Sequence, residues 1–335
     1  MATIEVNSIF QTKAANGDLR EHYLATKTAL IKDAGQPNGV ATLNAQGALS
    51  QMPTLTQVGG SNKNFIHNGH FKAAMNQRSV SGILTPGNSA IFFYDRWQTA
   101  RTTLTLGASG VSLAWDGTNS VNGYILQKIE GTLLFGKPVT ISVEIDGVVY
   151  FGTVTVPTVA NAASAYVNLV GNIHIYATNW GNTFWSITIQ TTSTTPVLIT
   201  RVKVEEGVFS TLINETPPEP RLEIQACRYF FELFESYSYA RFAQGIAYDA
   251  TTAHFCLEIS PKRSVPTIQW LVGNVTKLYI NQGATYLPLT ALDITDVRAN
   301  HVFLRATVAS GLTPNANYTL RGGGDTVKFA LVAEL

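Results

Sequence analysis

The chain has 335 residues, with 23 Lys and Arg against 22 Asp and Glu, a formal charge of +1. Charged residues are only 13% of the whole, about half the ~25% usual in soluble domains, which excludes a nucleic-acid binder built on a counterion-displacing basic stripe. Hydrophobic residues at 45% exclude a disordered chain, which needs low hydrophobicity with high net charge.

Residues 1–63 read as a segment apart. Asp18 can cap a helix predicted over 19–32, with Glu21 in a capping-box position. Leu19, Tyr23, Thr26 and Leu30 have the spacing of a heptad seam, which suits a short coiled coil or a small surface helix equally well. The following stretch is rich in Gly, Asn, Gln and Ser and is broken by Pro37 and Pro53, so it reads as an extended connector. The opening MATIEVNSIF lacks the basic and apolar regions of a secretory signal. No apolar run approaches the ~18 residues of a membrane helix, so membrane insertion is not expected.

Residues 64–216 read as β structure. VTISVEIDGVVYFGTVTV (139–156) alternates on both sides of Asp146-Gly147, the strongest short-range hairpin signal. Two further strands flank Asp116-Gly117, and FWSITIQ and PVLITRVKVEE supply two more. Turn signals every 8–12 residues without a long helix predict a β-sandwich or jelly roll. Pro217, Pro218 and Pro220 then stop any strand and mark a boundary. RLEIQACRYFFELFES (221–236) carries apolar residues at helical spacing and predicts one short amphipathic helix. From Arg241 strands return: ARFAQGIAYD, AHFCLEI, PTIQWLV, KLYI, HVFLRATVA and VKFALVAEL. Residues 217–335 are therefore expected to form a second, sandwich-like β domain.

Chemistry is sparse. Two cysteines, Cys227 and Cys256, cannot build a disulfide framework. No nucleophile elbow, zincin, P-loop or dinucleotide motif occurs, and Gly322-Gly323-Gly324 reads as a tight turn. His67 and His70 are three apart, but no cysteine or carboxylate lies close by in sequence, so no metal and no cofactor are expected. Glycoside hydrolysis needs two facing carboxylates. Asp146 reads instead as a turn residue and Glu144 as the polar position of a strand, while Glu205 and Glu206 must point to opposite faces.

Aromatic residues carry more promise, because sugars stack apolar faces on Trp and Tyr. Tyr176, Asn179 and Trp180 sit in the loop-flanked IYATNWGNTFW, and Trp115 precedes the Asp116-Gly117 turn. These four are the candidate carbohydrate contacts. Trp97 and Trp185 read as core. Tyr237, Tyr239, Tyr279 and Tyr286 form a second aromatic set, at least half of it expected to be packing.

NFIHNGHF (64–71), MNQR (75–78) and YDRW (94–97) resemble, in order, the opening of a domain common in bacteriophage tail-fibre and receptor-binding proteins. RVKVEEGVFSTLI (201–213) and QACRYFFE (225–232) are similar to that family's closing strand and the segment after it. GVATLNAQGALSQMP (39–53) resembles a tail-fibre linker and VAEL a fibre C-terminus. STLINETPPEP departs from the family's usual phrase after the closing strand. The resemblance implies a jelly roll akin to carbohydrate-binding modules, a homotrimer, attachment to a tail or baseplate protein through residues 1–63, and non-covalent binding of a host-surface glycan during adsorption. Asn68, Gly69, Asp95, Arg96 and Trp97 would then define the fold, with Asp95 and Arg96 paired at the sandwich edge. Synthesis in the host cytoplasm and residence in the virion are the implied locations. A polysaccharide depolymerase or esterase, and a structural baseplate or connector spacer, are the alternative functions.

Overall fold

Alternating apolar and polar side chains dominate the chain, and the structure is accordingly built of strands with a single α-helix among the described residues. The computed structural model describes residues 62–334 except 74, 75, 79, 81, 118–121, 182 and 238. The helix expected over 19–32 and the connector lie outside the described residues.

The first half carries β1 (Gly82–Leu84), β2 (Ile91–Tyr94), β3 (Trp97–Ala100), β4 (Thr102–Leu106), β5 (Val111–Trp115), β6 (Gly123–Glu130), β7 (Pro138–Ile145), β8 (Val148–Thr155), β9 (Val167–Val170), β10 (Ile173–Asn179), β11 (Phe184–Thr191) and β12 (Val197–Glu206). They form two six-stranded antiparallel sheets, ordered β1-β4-β5-β12-β7-β8 and β2-β3-β6-β11-β10-β9. One core lies between them: Trp97, Ile125 and Trp185 from the second sheet meet Leu113, Val143 and Val202 from the first, all at 0% exposure. β7 and β8 pair in register around Asp146-Gly147, and both turn residues have positive φ, 50° and 82°, as a type I′ turn requires. The strands flanking Asp116-Gly117 do not pair with each other. β5 joins the first sheet and β6 the second, so the chain crosses the sandwich there.

The second half departs from expectation twice. The helix α1 spans only Pro220–Arg228, and β13 (Phe231–Ser236) follows at once. The reason is tertiary. Six consecutive residues of β13 pair with the C-terminal strand β21 (Val327–Val332), and extended pairing along that ladder wins over the weak helical preference of the Phe-rich run. Glu219 caps α1 through its side chain, and Pro220 occupies the first turn, where no N–H is required.

The remaining strands are β14 (Arg241–Ala247), β15 (Thr252–Glu258), β16 (Thr267–Val272), β17 (Leu278–Gln282), β18 (Thr285–Val297), β19 (His301–Val308) and β20 (Asn317–Gly322). They do not make a second sandwich. β14-β15-β19-β18-β17-β20 close into a six-stranded barrel, flanked by the three-stranded sheet β13-β21-β16. Closure depends on β20, whose short run NYTLRG alternates, and on β18, whose pattern Pro288 interrupts. β18 contains Pro288, yet pairs with β17 through Thr285–Pro288 and with β19 only from Leu289 onward. The missing proline N–H thus falls where the strand changes partners. The barrel and small sheet share a core around Phe329, whose ring contacts Phe234, Phe242 and Trp270 at 5.3, 5.3 and 5.7 Å.

Residues 60–335 form one compact unit, and the two cores meet across a buried polar junction.

Candidate functional site

That junction is where the family-like residues lie. Asp95-Arg96 is the two-residue connection between β2 and β3, with Arg96 at a φ of 72°. Asp95 is fully buried. Its Oδ2 accepts from the backbone N–H and the Nε2 of Gln77, both at 3.0 Å, and its Oδ1 lies 3.7 Å from Arg78 Nε. Arg96 does not pair with Asp95 as expected. It donates to Glu334 near the chain's end and to the Lys128 carbonyl at 2.6 Å. Glu334 also receives Arg78. The guanidinium carbons of Arg78 and Arg96 sit 3.9 and 3.5 Å from the ring centroids of Phe231 and Phe230. Both planar cations are thus stacked against the second half of the chain and bonded to its Glu334, and Arg96 is also bonded to the first half through Lys128. Burial pushes the Asp95 carboxyl up to about 6, against the pull of Arg78 and the Gln77 hydrogen bonds.

Trp97 is fully buried and donates to the carbonyls of His67 and Asn68 at 3.1 and 3.2 Å. The Asn68 N–H bonds to Glu223 on α1. Gly69 lies so close to β12 that a Cβ would stand 2.4 Å from the Val202 carbonyl, which no larger residue could satisfy without moving backbone. These residues join two halves of the chain and offer little surface to a ligand.

The carbohydrate candidates of the sandwich do not converge. Tyr176 is half-buried on β10, edge-on to Tyr166 at 4.7 Å. Asn179 is buried, its Nδ2 bonded to the Pro157 carbonyl at 2.9 Å and its Oδ1 to the Gly181 N–H at 2.7 Å. Its hydrogen-bonding groups are directed inward to shape the loop. Trp180 is 41% exposed, with its indole N–H on Ser186 and the Lys128 ammonium 5.6 Å from its ring. Trp180 bonds to the start of β11 at Phe184, whereas Trp115 bonds beyond its end at Ser193. The backbones of the two residues therefore attach at opposite ends of a strand about 24 Å long.

The carboxylates of the sandwich are likewise engaged. Glu144 binds Arg201 and Thr200. Burial opposes its ionisation, but those hydrogen bonds outweigh it and hold the carboxyl below its usual range. Glu205 is buried and accepts from the Thr211 N–H and hydroxyl at 2.7 and 2.6 Å, while Glu206 faces out and binds Lys137. Glu205 and Lys203, which donates to Thr211 at 2.9 Å, thereby clamp the segment leaving the sandwich. His67 faces Glu223 at 3.7 Å and His70 faces Glu215 at 3.5 Å. Among the described residues no group of three or more His, Cys, Asp or Glu could hold a metal.

The barrel assembles what the sandwich does not. Tyr239, Tyr279 and Tyr286, from three separate stretches of chain, line a cleft of about 280 Å³ with Gly323 and Gly324. Tyr239 and Tyr286 are 50% and 45% exposed, with ring centroids 6.2 Å apart at 62°. The glycine turn permits this: a Cβ on Gly323 would meet the Tyr279 ring at 2.7 Å, and one on Gly324 the Tyr239 hydroxyl at 3.4 Å. Tyr239 is held at a φ of 66°, its N–H on the Gly323 carbonyl at 2.9 Å and its carbonyl taking Arg321 Nη2 at 2.8 Å. Strain of that kind persists only where the surroundings fix it. The Arg321 guanidinium stands 5.1 and 5.2 Å from the rings of Tyr239 and Tyr286. Tyr237 is 66% exposed and turns to Glu235 instead.

A second hollow of about 600 Å³ lies on the same barrel wall, lined among others by Gln244, His254, Asn317 and Thr319. Gly245 makes it possible, since a Cβ there would stand 2.0 Å from the His254 carbonyl. Thr319 and Arg321 are two apart on β20, on one face and about 7 Å apart along it. Cleft and hollow therefore adjoin. The tyrosines were visible in the sequence as a set, but Arg321 and the glycines carried no signal beyond a turn. Strand register alone brings them together.

No protein-family model, curated protein or solved structure matches this chain.

Proposed function

We propose that this chain is a phage tail fibre that attaches to a host-surface glycan without chemistry, and that the outer wall of its barrel makes the contact. The observation that carries the reading is the tyrosine cleft: exposed, rigidly held aromatic rings beside neutral hydrogen-bonding groups suit the apolar faces and hydroxyls of a sugar. The ordered motifs at 64–97 and 201–232 support the phage assignment. On this reading the sandwich is a jelly roll that positions the barrel, residues 1–63 attach to a tail or baseplate protein, and the fibre is a homotrimer carried in the virion. Three clefts per fibre raise a weak sugar affinity by ~10²–10⁴ when they engage together.

The test uses the full chain. Light scattering should give three times the 36.3 kDa chain mass. Labelled protein should adsorb to at least one strain of a bacterial panel, and Tyr286→Ala should weaken adsorption by about tenfold, the equivalent of 1.4 kcal/mol. A monomeric mass overturns the trimer. Loss of adsorption on Trp180→Ala but not on Tyr286→Ala moves the contact to the sandwich. Adsorption to no strain favours a structural spacer.

A further inference from the structure

On the barrel's outer face, Arg241 of β14, Arg321 of β20 and Tyr279 of β17 stand in one transverse row as direct cross-strand partners. Their neighbours Ala243, Leu320 and Ile280 fill the barrel core, so the row faces outward. Like charges directly opposite on adjacent strands destabilise a sheet. Among the described residues no carboxylate pairs with either arginine. Asp325 is held by Lys277 at 2.7 Å, and Glu235 by Lys328 at 2.5 Å. Arg321 is fixed through Nη2 on the Tyr239 carbonyl and Nη1 toward the Tyr286 hydroxyl at 3.4 Å, while its buried Nε has no hydrogen-bond partner. Arg241 is exposed. In a chain so poor in charge, two uncompensated guanidinium groups border an open aromatic cleft.

We infer that the cleft takes a sugar residue bearing an anionic group, a carboxylate or a phosphate, with the arginine row on the anion and Tyr239 and Tyr286 against the ring. Guanidinium forks match both anions in geometry, and the charge-assisted bonds are roughly twice as strong as neutral ones. An incoming anion also relieves the repulsion between Arg241 and Arg321. This inference rests on the adhesion reading above and adds the ligand's charge to it.

The experiment is biolayer interferometry of the full-length protein on three immobilised probes: an oligogalacturonate, an oligosaccharide carrying mannose 6-phosphate, and a neutral galactose oligomer. The protein should bind at least one anionic probe at least tenfold more tightly than the neutral one. The stronger anionic arm identifies the group. Arg241→Gln should weaken that binding about tenfold without lowering the thermal melt, since it removes a like charge opposite Arg321. Arg321→Lys, which keeps the charge but loses the fork, should also weaken it. Equal binding to the neutral probe, no binding to either anionic probe, or an unchanged affinity in Arg241→Gln overturns the inference. If arginine variants adsorb normally to bacteria and Tyr286→Ala does not, the anion is lost and the adhesion reading stands. Tight anionic binding by a protein that adsorbs to no strain does the reverse.

Discussion

Asp95 has no exposed surface and lies 3.7 Å from Arg78, yet burial pushes its carboxyl up to about 6. Its pKa in the folded chain is therefore above the unfolded value of 3.8. The sign follows: the folded state holds this proton more tightly, so the stability it contributes is full below about pH 4 and lost as pH rises through about 6. In Asp95→Asn the site is neutral throughout. Between pH 4 and 7 the wild type should lose ~3 kcal/mol relative to that variant, from a rise of about two pK units. Urea unfolding at several pH values measures the difference, and parallel stability curves for the two proteins would refute the assignment. Sequence reasoning identified Asp95 and Arg96 as important, but paired them with each other. Adjacency could not reveal that Arg96 answers to Glu334, which is 238 residues away.

At the level of elements, the 138–155 hairpin shows where local sequence suffices. Its register follows from Asp146-Gly147, and Asp146 is further tied to Leu198 through both backbone and side chain. Gly147→Val places a branched side chain at a φ of 82° and should cost about 1–2 kcal/mol. Chemical denaturation would register the loss, and an unchanged midpoint would contradict the type I′ geometry. The segment 221–236 shows where local sequence fails. Apolar residues at 226, 229, 230 and 233 fit a helix, but those from 231 onward also satisfy a strand. A ladder to β21 decides between them at Tyr229. β18 was missed for a related reason: Pro288 breaks the pattern of a strand, and only the change of pairing partner around it makes the strand possible.

For the whole molecule, the junction sets the mechanical behaviour. Arg78 and Arg96, 6% and 3% exposed, share one carboxylate, Glu334. Removing one partner of a buried ion pair leaves an uncompensated charge and costs about 3–5 kcal/mol. Glu334→Gln should therefore uncouple the two cores, turning one thermal transition into two by calorimetry. A single transition at the wild-type temperature would show that the junction carries no such coupling. The same geometry argues against cutting the chain near residue 216. The sandwich would lose Glu334, Phe230 and Phe231, and its two arginines would lose the carboxylate they share and the rings they stack on.

The strand-rich character, the 138–155 hairpin, the buried Trp97 and Trp185, and the outward alternation of Glu206 are legible locally. Each depends on a period of two, on a turn dipeptide or on the size of an indole, and all three act within a few residues. Closure of the second half as a barrel, the separation of Trp115 from Trp180, and the patch shared by Tyr239, Tyr279, Tyr286, Arg241 and Arg321 are not legible locally. Those outcomes depend on which strands become neighbours and in what register. Pairing of that kind is settled by burying two cores and satisfying every ladder at once, a condition no local window contains.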